Sequence, residues 1–369
     1  MPNLFDYIAW RGDLTLEAAP FSEVDNLIFS MLSFTNFDGI VSGEVLGVPV
    51  KLSECLARHR ELYPNGEDFG KIIPDETGTL FVRAAESVRF RDVYVTFYRS
   101  ETNEERYTQF AAVTFILPDN TLFVAFRGTD DTLVGWREDF NLSFMHPGPG
   151  QLMAVDYLTE IASVYGGRIR TGGHSKGGHL AVYAATFSPK SVRDRVITAY
   201  SNDGPGFVRE VIESAEFREM SDRICTFVPQ ASIIGMLLEH KEDYVVIEST
   251  VSNLNGLRQH DPFSWSVVGP SFVHLDGLSR EGRRTDEVID RWLEGVSPED
   301  RRRFTETVFG LLEATGAKTL SDLSVDHVSK IGAAIRAFGE LDRESKEGMI
   351  SLVKRLATAG RRKNKESGE

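Results

Sequence analysis

The sequence predicts an α/β protein, with a mostly parallel central sheet, helices on both of its faces and a C-terminal helical appendage. Three observations carry this expectation. Strand and helix signals alternate from about residue 110 to about residue 250, the order expected of βαβ units. The segment "TLFVAF" at 121–126 is a nearly continuous apolar run, as a strand covered on both faces must be. Beyond about residue 280 the strand signals stop and only helical periodicity remains.

In chain order, residues 1–20 read as an irregular arm. "FSEVDNLIFSMLSF" follows, with Val24, Leu27, Ile28, Met31 and Leu32 on one helical face and Ser22 as the N-cap. Residues 50–90 mix helix and loop signals. "VYVTFYRS" and "TQFAAVTFIL" read as strands, with "PDN" as the turn before "TLFVAF". "VDYLTEIASVYG" is helical, "RIRTGGH" a strand, "GGHLAVYAATF" a helix and "RVITAYSN" a strand. A helical stretch near 207–218, then the strands "RICTFVP" and "DYVVIES", complete the sheet. "ASIIGMLL" reads as a buried helix after a strand, with an apolar wall for an acyl chain as the competing reading. "SPEDRRRFTETVFGLL" opens with Ser297 as N-cap, Pro298 at the first helical position and Asp300 closing a capping box. Phe304, Val308, Leu311 and Leu312 form its apolar stripe. "SVDHVSKIGAAIRAF" and "KEGMISLVKRLA" are also helical. The expected organisation is an arm and packing helices over 1–90, a core over 91–280, a helical region over 281–360 and a disordered tail over 361–369. The appendage is expected to cover a sheet edge or to pair with a second copy of the chain.

Composition narrows the function classes. Of 369 residues, 41% are hydrophobic and 26% charged, as in an ordinary globular protein. The formal net charge of -14 argues against nucleic acid as the main partner and against electrostatic docking on an anionic membrane. Two distant cysteines exclude a disulfide framework, and no apolar run is long enough to span a membrane. The start, "MPNLFDYIAWRGDL", lacks the pattern of a signal peptide. These features predict a cytoplasmic protein.

"GGHSKGG" at 172–178 carries the chemistry. Gly173-His174-Ser175-Lys176-Gly177 fits G-x-S-x-G between a predicted strand and a predicted helix, the layout of a nucleophile elbow. Such a turn lifts Ser175 above the sheet in a strained backbone, and the flanking glycines avoid clashes with neighbouring backbone. A phosphate-cradling loop would need Gly-Lys-Ser or Gly-Lys-Thr, and here Lys176 follows the serine.

A serine hydroxyl needs a base, and in α/β-hydrolases the order is serine, acid, histidine. His260, in the loop "GLRQHDPFSW" after the last strand, is the predicted base ahead of His274; His179 points away from the elbow tip and His240 precedes a strand. For the acid, Asp203 in "AYSNDGPGF" follows the strand after the elbow helix. The commoner place, one strand later, reads "VPQASII" and offers no carboxylate. Asp243 and Asp261 are the reserves. The oxyanion would be met by the Lys176 N–H and by Thr129, through its N–H or hydroxyl, in the loop after "LFVAF".

Together, "FVAFRGTDDTLVGWREDF" and "GGHSKGGHLAVYAA" resemble the class 3 lipases, whose pattern runs from an apolar strand through Arg-Gly-Thr and Trp-x-x-Asp to Gly-His-Ser-x-Gly-Gly. "APFSEVD", "SNDGPGF", "FVPQASIIGMLLEH" and "QHDPFSW" are similar to blocks of a bacterial family of lipase-class-3-like α/β-hydrolases. The resemblance covers most of residues 1–275. It implies an α/β-hydrolase fold, Ser175 as nucleophile, His260 as base, and Thr129 with Lys176 at the oxyanion. Two departures stand out. Class 3 lipases carry their aspartate where this chain has "VPQASII", and they usually have an apolar residue where it has Lys176, whose side chain is expected in solvent. The expected activity is hydrolysis of carboxylic esters, of small molecules or lipids, with no metal or organic cofactor. A non-catalytic binding or scaffold protein on the same fold is the alternative.

Overall fold

The structure, a computed structural model, describes residues 1–70, 72–323, 327–343, 346–350 and 354. The first four helices precede most of the sheet: α1 (Leu4–Arg11), α2 (Glu23–Leu32), α3 (Leu52–Leu62) and α4 (Glu76–Glu86). The first differs from expectation. Asn3 caps α1 in a reciprocal box with Asp6, so the supposed irregular arm is helical over Leu4–Arg11. Leu4, Tyr7 and Ile8 fix it to the core. Ser22 caps α2 in the same way, with Asp25 as the reciprocal partner.

The sheet strands in chain order are β1 (Val50–Lys51), β2 (Tyr94–Asn103), β3 (Thr108–Ile116), β4 (Leu122–Phe126), β5 (Ile169–His174), β6 (Val196–Asn202), β7 (Ile224–Pro229) and β8 (Tyr244–Ile247), with a last short strand at His274–Leu275. Between them lie α5 (Leu133–Asn141), α6 (Pro149–Val164) and α7 (Lys176–Phe187). Spatial order follows chain order from β1 to β8, with the His274–Leu275 strand beyond β8. β4 to β8 pair in parallel, while β1 to β4 and the last pair are antiparallel. This mixed sheet with helices on both faces is the expected α/β-hydrolase fold.

The pleat of β4 explains the two layers. Phe123 and Ala125 join the cluster formed with α1 to α4, whereas Leu122, Val124 and Phe126 join the one formed with α6 and α7. A strand sandwiched this way has no polar face, hence the apolar run. Parallel register then aligns the strand tips: Phe126 pairs with Gly173, His174 with Asn202, and Asn202 with Phe227. The residues just after β4, β5, β6 and β7 therefore share one edge of the sheet.

Past the sheet, Ser279 caps a helix over Arg280–Glu294 and Ser297 caps one over Pro298–Glu313, the latter with Pro298 in its first turn; Asp300 accepts from the Ser297 hydroxyl rather than from its backbone N–H, so the expected box is not closed. A further helix covers His327–Glu340. Of the expected "KEGMISLVKRLA" helix, residues 346–350 and 354 are described and helical and the other half lies outside the described residues, as does the whole 361–369 tail. Among the described residues no helix is long and apolar enough to cross a membrane.

Candidate active site

Ser175 sits between the last residue of β5 and the first of α7 with φ 60° and ψ -134°, a backbone conformation that side-chain-bearing residues rarely adopt. The crossing is that tight because a Cβ at Gly173 would overlap the Gly177 carbonyl, and one at Gly177 would overlap the Phe126 carbonyl. The strain is held by packing and by the Ser175 N–H, which donates to the Asn202 carbonyl at 3.0 Å. Ser175 thus stands at the N-terminus of α7, where the helix dipole and free N–H groups favour negative charge.

Asp203, one residue beyond β6, also has a positive φ of 52°. Its side chain is fully buried. Asp203 Oδ2 lies 2.6 Å from His260 Nδ1 and accepts the Ser232 hydroxyl at 2.6 Å. His260 keeps a fifth of its side-chain surface open, at 21%. With Nδ1–H donated to a carboxylate, the lone pair sits on Nε2, the tautomer a base requires. Ser175 and His260 line one cavity of about 290 Å³, together with Thr129 and Lys176.

His174, whose role the sequence did not suggest, sets the place of His260. Its Nε2–H donates to the His260 carbonyl at 2.8 Å, and the two rings lie 4.4 Å apart. Burial, aided by the neighbouring imidazole, holds the His174 pKa well below the usual histidine value, so the ring stays a neutral donor. On the far side of the loop, the Gln259 side chain accepts from the Ala231 N–H and donates to the Val251 carbonyl. The remaining candidates are elsewhere. His274 is half-exposed and pairs with Glu23 at 3.1 Å. His179 is buried between Gln151 and the Gly206 carbonyl, which leaves it neutral, with its pKa lowered to about 4 by burial. Asp261 caps the turn at Phe263, and Asp243 is exposed.

Close approach defines the other wall. A Cβ at Gly128 would press on the His174 carbonyl and on Ser175 Cβ, so the loop after β4 lies against the elbow. The Thr129 hydroxyl is spoken for: it donates to Asp139 Oδ2 at 2.6 Å. The N–H groups of Thr129 and Lys176 form no hydrogen bond among the described residues. Asp139, the aspartate of Trp-x-x-Asp, has its pKa raised to about 6 by burial, against the opposing pull of the Lys176 charge and the Thr129 bond.

Lys176 corrects an expectation. Its side chain is not in solvent but buried under the loop, with Nζ donating to Gln109 O at 2.8 Å, Gln109 Oε1 at 2.9 Å and Glu138 Oε2 at 2.7 Å. Glu138 in turn accepts from the N–H groups of Gln109 and Gly150. "ASIIGMLL" also differs: it forms a single 3₁₀ turn over Ile234–Met236, and Ile234, Leu237 and Leu238 line the cavity beside Phe34, Ile72 and Phe140. Among the described residues no group of His, Cys, Asp or Glu is arranged to hold a metal ion.

The family model described as Mbeg1-like matches residues 84–310, more than half of the chain. No curated protein matches it. The chain is similar to a Rhizomucor miehei lipase in a propeptide complex, at 16% identity over 49% of this chain and 70% of that one, with a TM-score of 0.35. It is also similar to a protein described as M37 lipase, at 16% identity over 58% and 70% of the two chains, with a TM-score of 0.36. A triacylglycerol lipase from Penicillium expansum is similar at 13% identity over 50% and 75%, with a TM-score of 0.30. Likenesses this slight carry no argument about activity.

Proposed function

This chain belongs to the Mbeg1-like family, and within that family we propose a serine hydrolase that cleaves carboxylic esters through an acyl-enzyme on Ser175. The observation that carries the reading is the 2.6 Å contact between Asp203 and a His260 that opens, with Ser175, onto one cavity. Ser175 Oγ attacks the ester carbonyl as His260 Nε2 takes its proton, and Asp203 holds the imidazole by Nδ1 and offsets the charge it gains. The Thr129 and Lys176 N–H groups receive the oxyanion, and His260 returns the proton to the departing alkoxide. Water, activated by the same imidazole, then frees the acid and restores Ser175. We place this activity in the cytoplasm, a reading supported by the free Cys55 and Cys225.

A fluorophosphonate probe tests the proposal. Wild type is expected to be labelled and Ser175→Ala is not. A folded wild type that resists labelling and turns over no p-nitrophenyl ester favours the non-catalytic reading instead.

A further inference from the structure

We propose that the helices Arg280–Glu294 and Pro298–Glu313 are one wall of the substrate pocket and set the length of its acyl group, so that the substrate is an ester of an apolar acyl group of on the order of ten carbons. The proposal rests on the serine hydrolase reading for the reaction, and on the cavity itself for the ligand.

The cavity is closed from two directions. The core side ends on residues such as Phe34, Trp136 and Leu142, and the opposite side is built by Trp292, Leu293, Arg301, Phe304 and Thr305 from the two C-terminal helices. Ser175 lies in the lining, so an acyl group bound to it has those helices as its boundary. The two charged groups of the lining beyond the elbow and its loops are each bonded to protein, although Asp139 Oδ1, Arg301 Nε and the indole N–H groups of Trp136 and Trp292 have no partner among the described residues. Asp139 accepts from Thr129, and Arg301 donates to the carbonyls of Ser143 and Leu293. The rest of the lining is mostly apolar, so a hydrocarbon chain finds apolar walls there. The volume, about 290 Å³, sets the size. A liquid water molecule takes about 30 Å³ and a methylene is of similar bulk, so the space takes on the order of ten chain atoms.

The wall is fastened rather than loose. Arg137 pairs with Glu313 at 2.8 Å, and Phe140 meets Phe309 edge-on at 5.6 Å. Arg301 Nη1 reaches the Ser143 carbonyl at 2.8 Å, and the Leu133 N–H reaches the Lys318 carbonyl at 2.9 Å. All of these hold the appendage to α5 and its flanks, the segment that directly follows Thr129. A wall tied to the oxyanion loop keeps a fixed distance from Ser175, which is what a measure of chain length requires.

The experiment is a series of p-nitrophenyl esters from acetate to palmitate on the full-length protein, with Phe304→Ala and Phe304→Trp beside wild type. Expected is a kcat/KM that climbs roughly fourfold per methylene, peaks near ten carbons and then falls. The peak moves to longer acids in Phe304→Ala and to shorter ones in Phe304→Trp. A maximum that stays in place in both folded variants, or a flat series, overturns the proposal while leaving the hydrolase reading intact. Thermal melts of Ser175→Ala with 1-decanol and 1-hexadecanol read the pocket without turnover. A rise in Tm with decanol that Phe304→Trp abolishes supports the pocket even if wild type takes no fluorophosphonate. No rise with either alcohol counts against the pocket even in an active enzyme.

Discussion

Asp203 and His260 face each other across 2.6 Å although 57 residues separate them, and the Ser232 hydroxyl reaches the same carboxylate oxygen. The contact joins the tip of β6 to the loop beyond β8, with β7 between supplying the serine. An aspartate so placed fixes the imidazole in one tautomer.

Asp203→Asn keeps the size of the side chain but cannot hold that tautomer against Nδ1–H with a charge. The expected result is a fall in kcat of on the order of 10⁴-fold with the fold intact by circular dichroism. An Asp203→Asn enzyme with activity near wild type would move the acid to another residue.

Lys176 and Glu138 are both buried, so removing one leaves the other charge without a partner. Lys176→Met is expected to cost about 3–5 kcal/mol in urea unfolding. Lys176→Met combined with Glu138→Gln keeps an acceptor for only one of the Gln109 and Gly150 N–H groups but removes the stranded charge, the costlier of the two, so the double variant should be more stable than Lys176→Met alone. Strictly additive losses in the double-mutant cycle would show that the pair is not coupled.

Asp139 titrates at about 6 in the folded protein against an ordinary value near 3.8. The folded state thus holds the proton more tightly, and stability falls as pH rises from about 4 to about 6. Asp139→Asn lacks this penalty. Its stability relative to wild type should rise by up to about 3 kcal/mol between pH 4 and pH 7. Parallel unfolding curves with an unchanging difference across that range would contradict the assignment.

His179 works in the opposite sense. Its pKa is lowered to about 4, so the unfolded chain takes up a proton near 6.5 that the folded chain refuses. Stability is complete above about 6.5 and drains away toward pH 4, by about 3 kcal/mol in all. His179→Gln can still donate to the Gly206 carbonyl, and its denaturation midpoint should depend less on pH. An equally steep loss in that variant would place the titrating group elsewhere.

The sheet was legible because sandwiching leaves a local trace: every position of "LFVAF" is buried, and a buried strand has to be apolar whatever its partners. The elbow was legible for a similar reason, since its glycines answer clashes within a few residues. What stayed hidden depends on partners far along the chain. Lys176 meets a carboxylate 38 residues upstream and a strand 67 residues upstream, and spacing alone cannot distinguish it from a surface lysine. Ser232 looked like an absence of acid and turned out to touch one. The first helix escaped notice because its capping box, Asn3 with Asp6, sits beside a short and weakly periodic apolar face.

The neighbouring tips of β6 and β7 make the seat of the carboxylate transferable. A carboxyl could leave one tip and arise on the other in two point mutations, passing through a chain that carries both, while the imidazole never shifts. Surveys that score such proteins as inert for lacking an aspartate at one alignment column would then discard working enzymes, and a search by spatial vicinity to the ring would recover them.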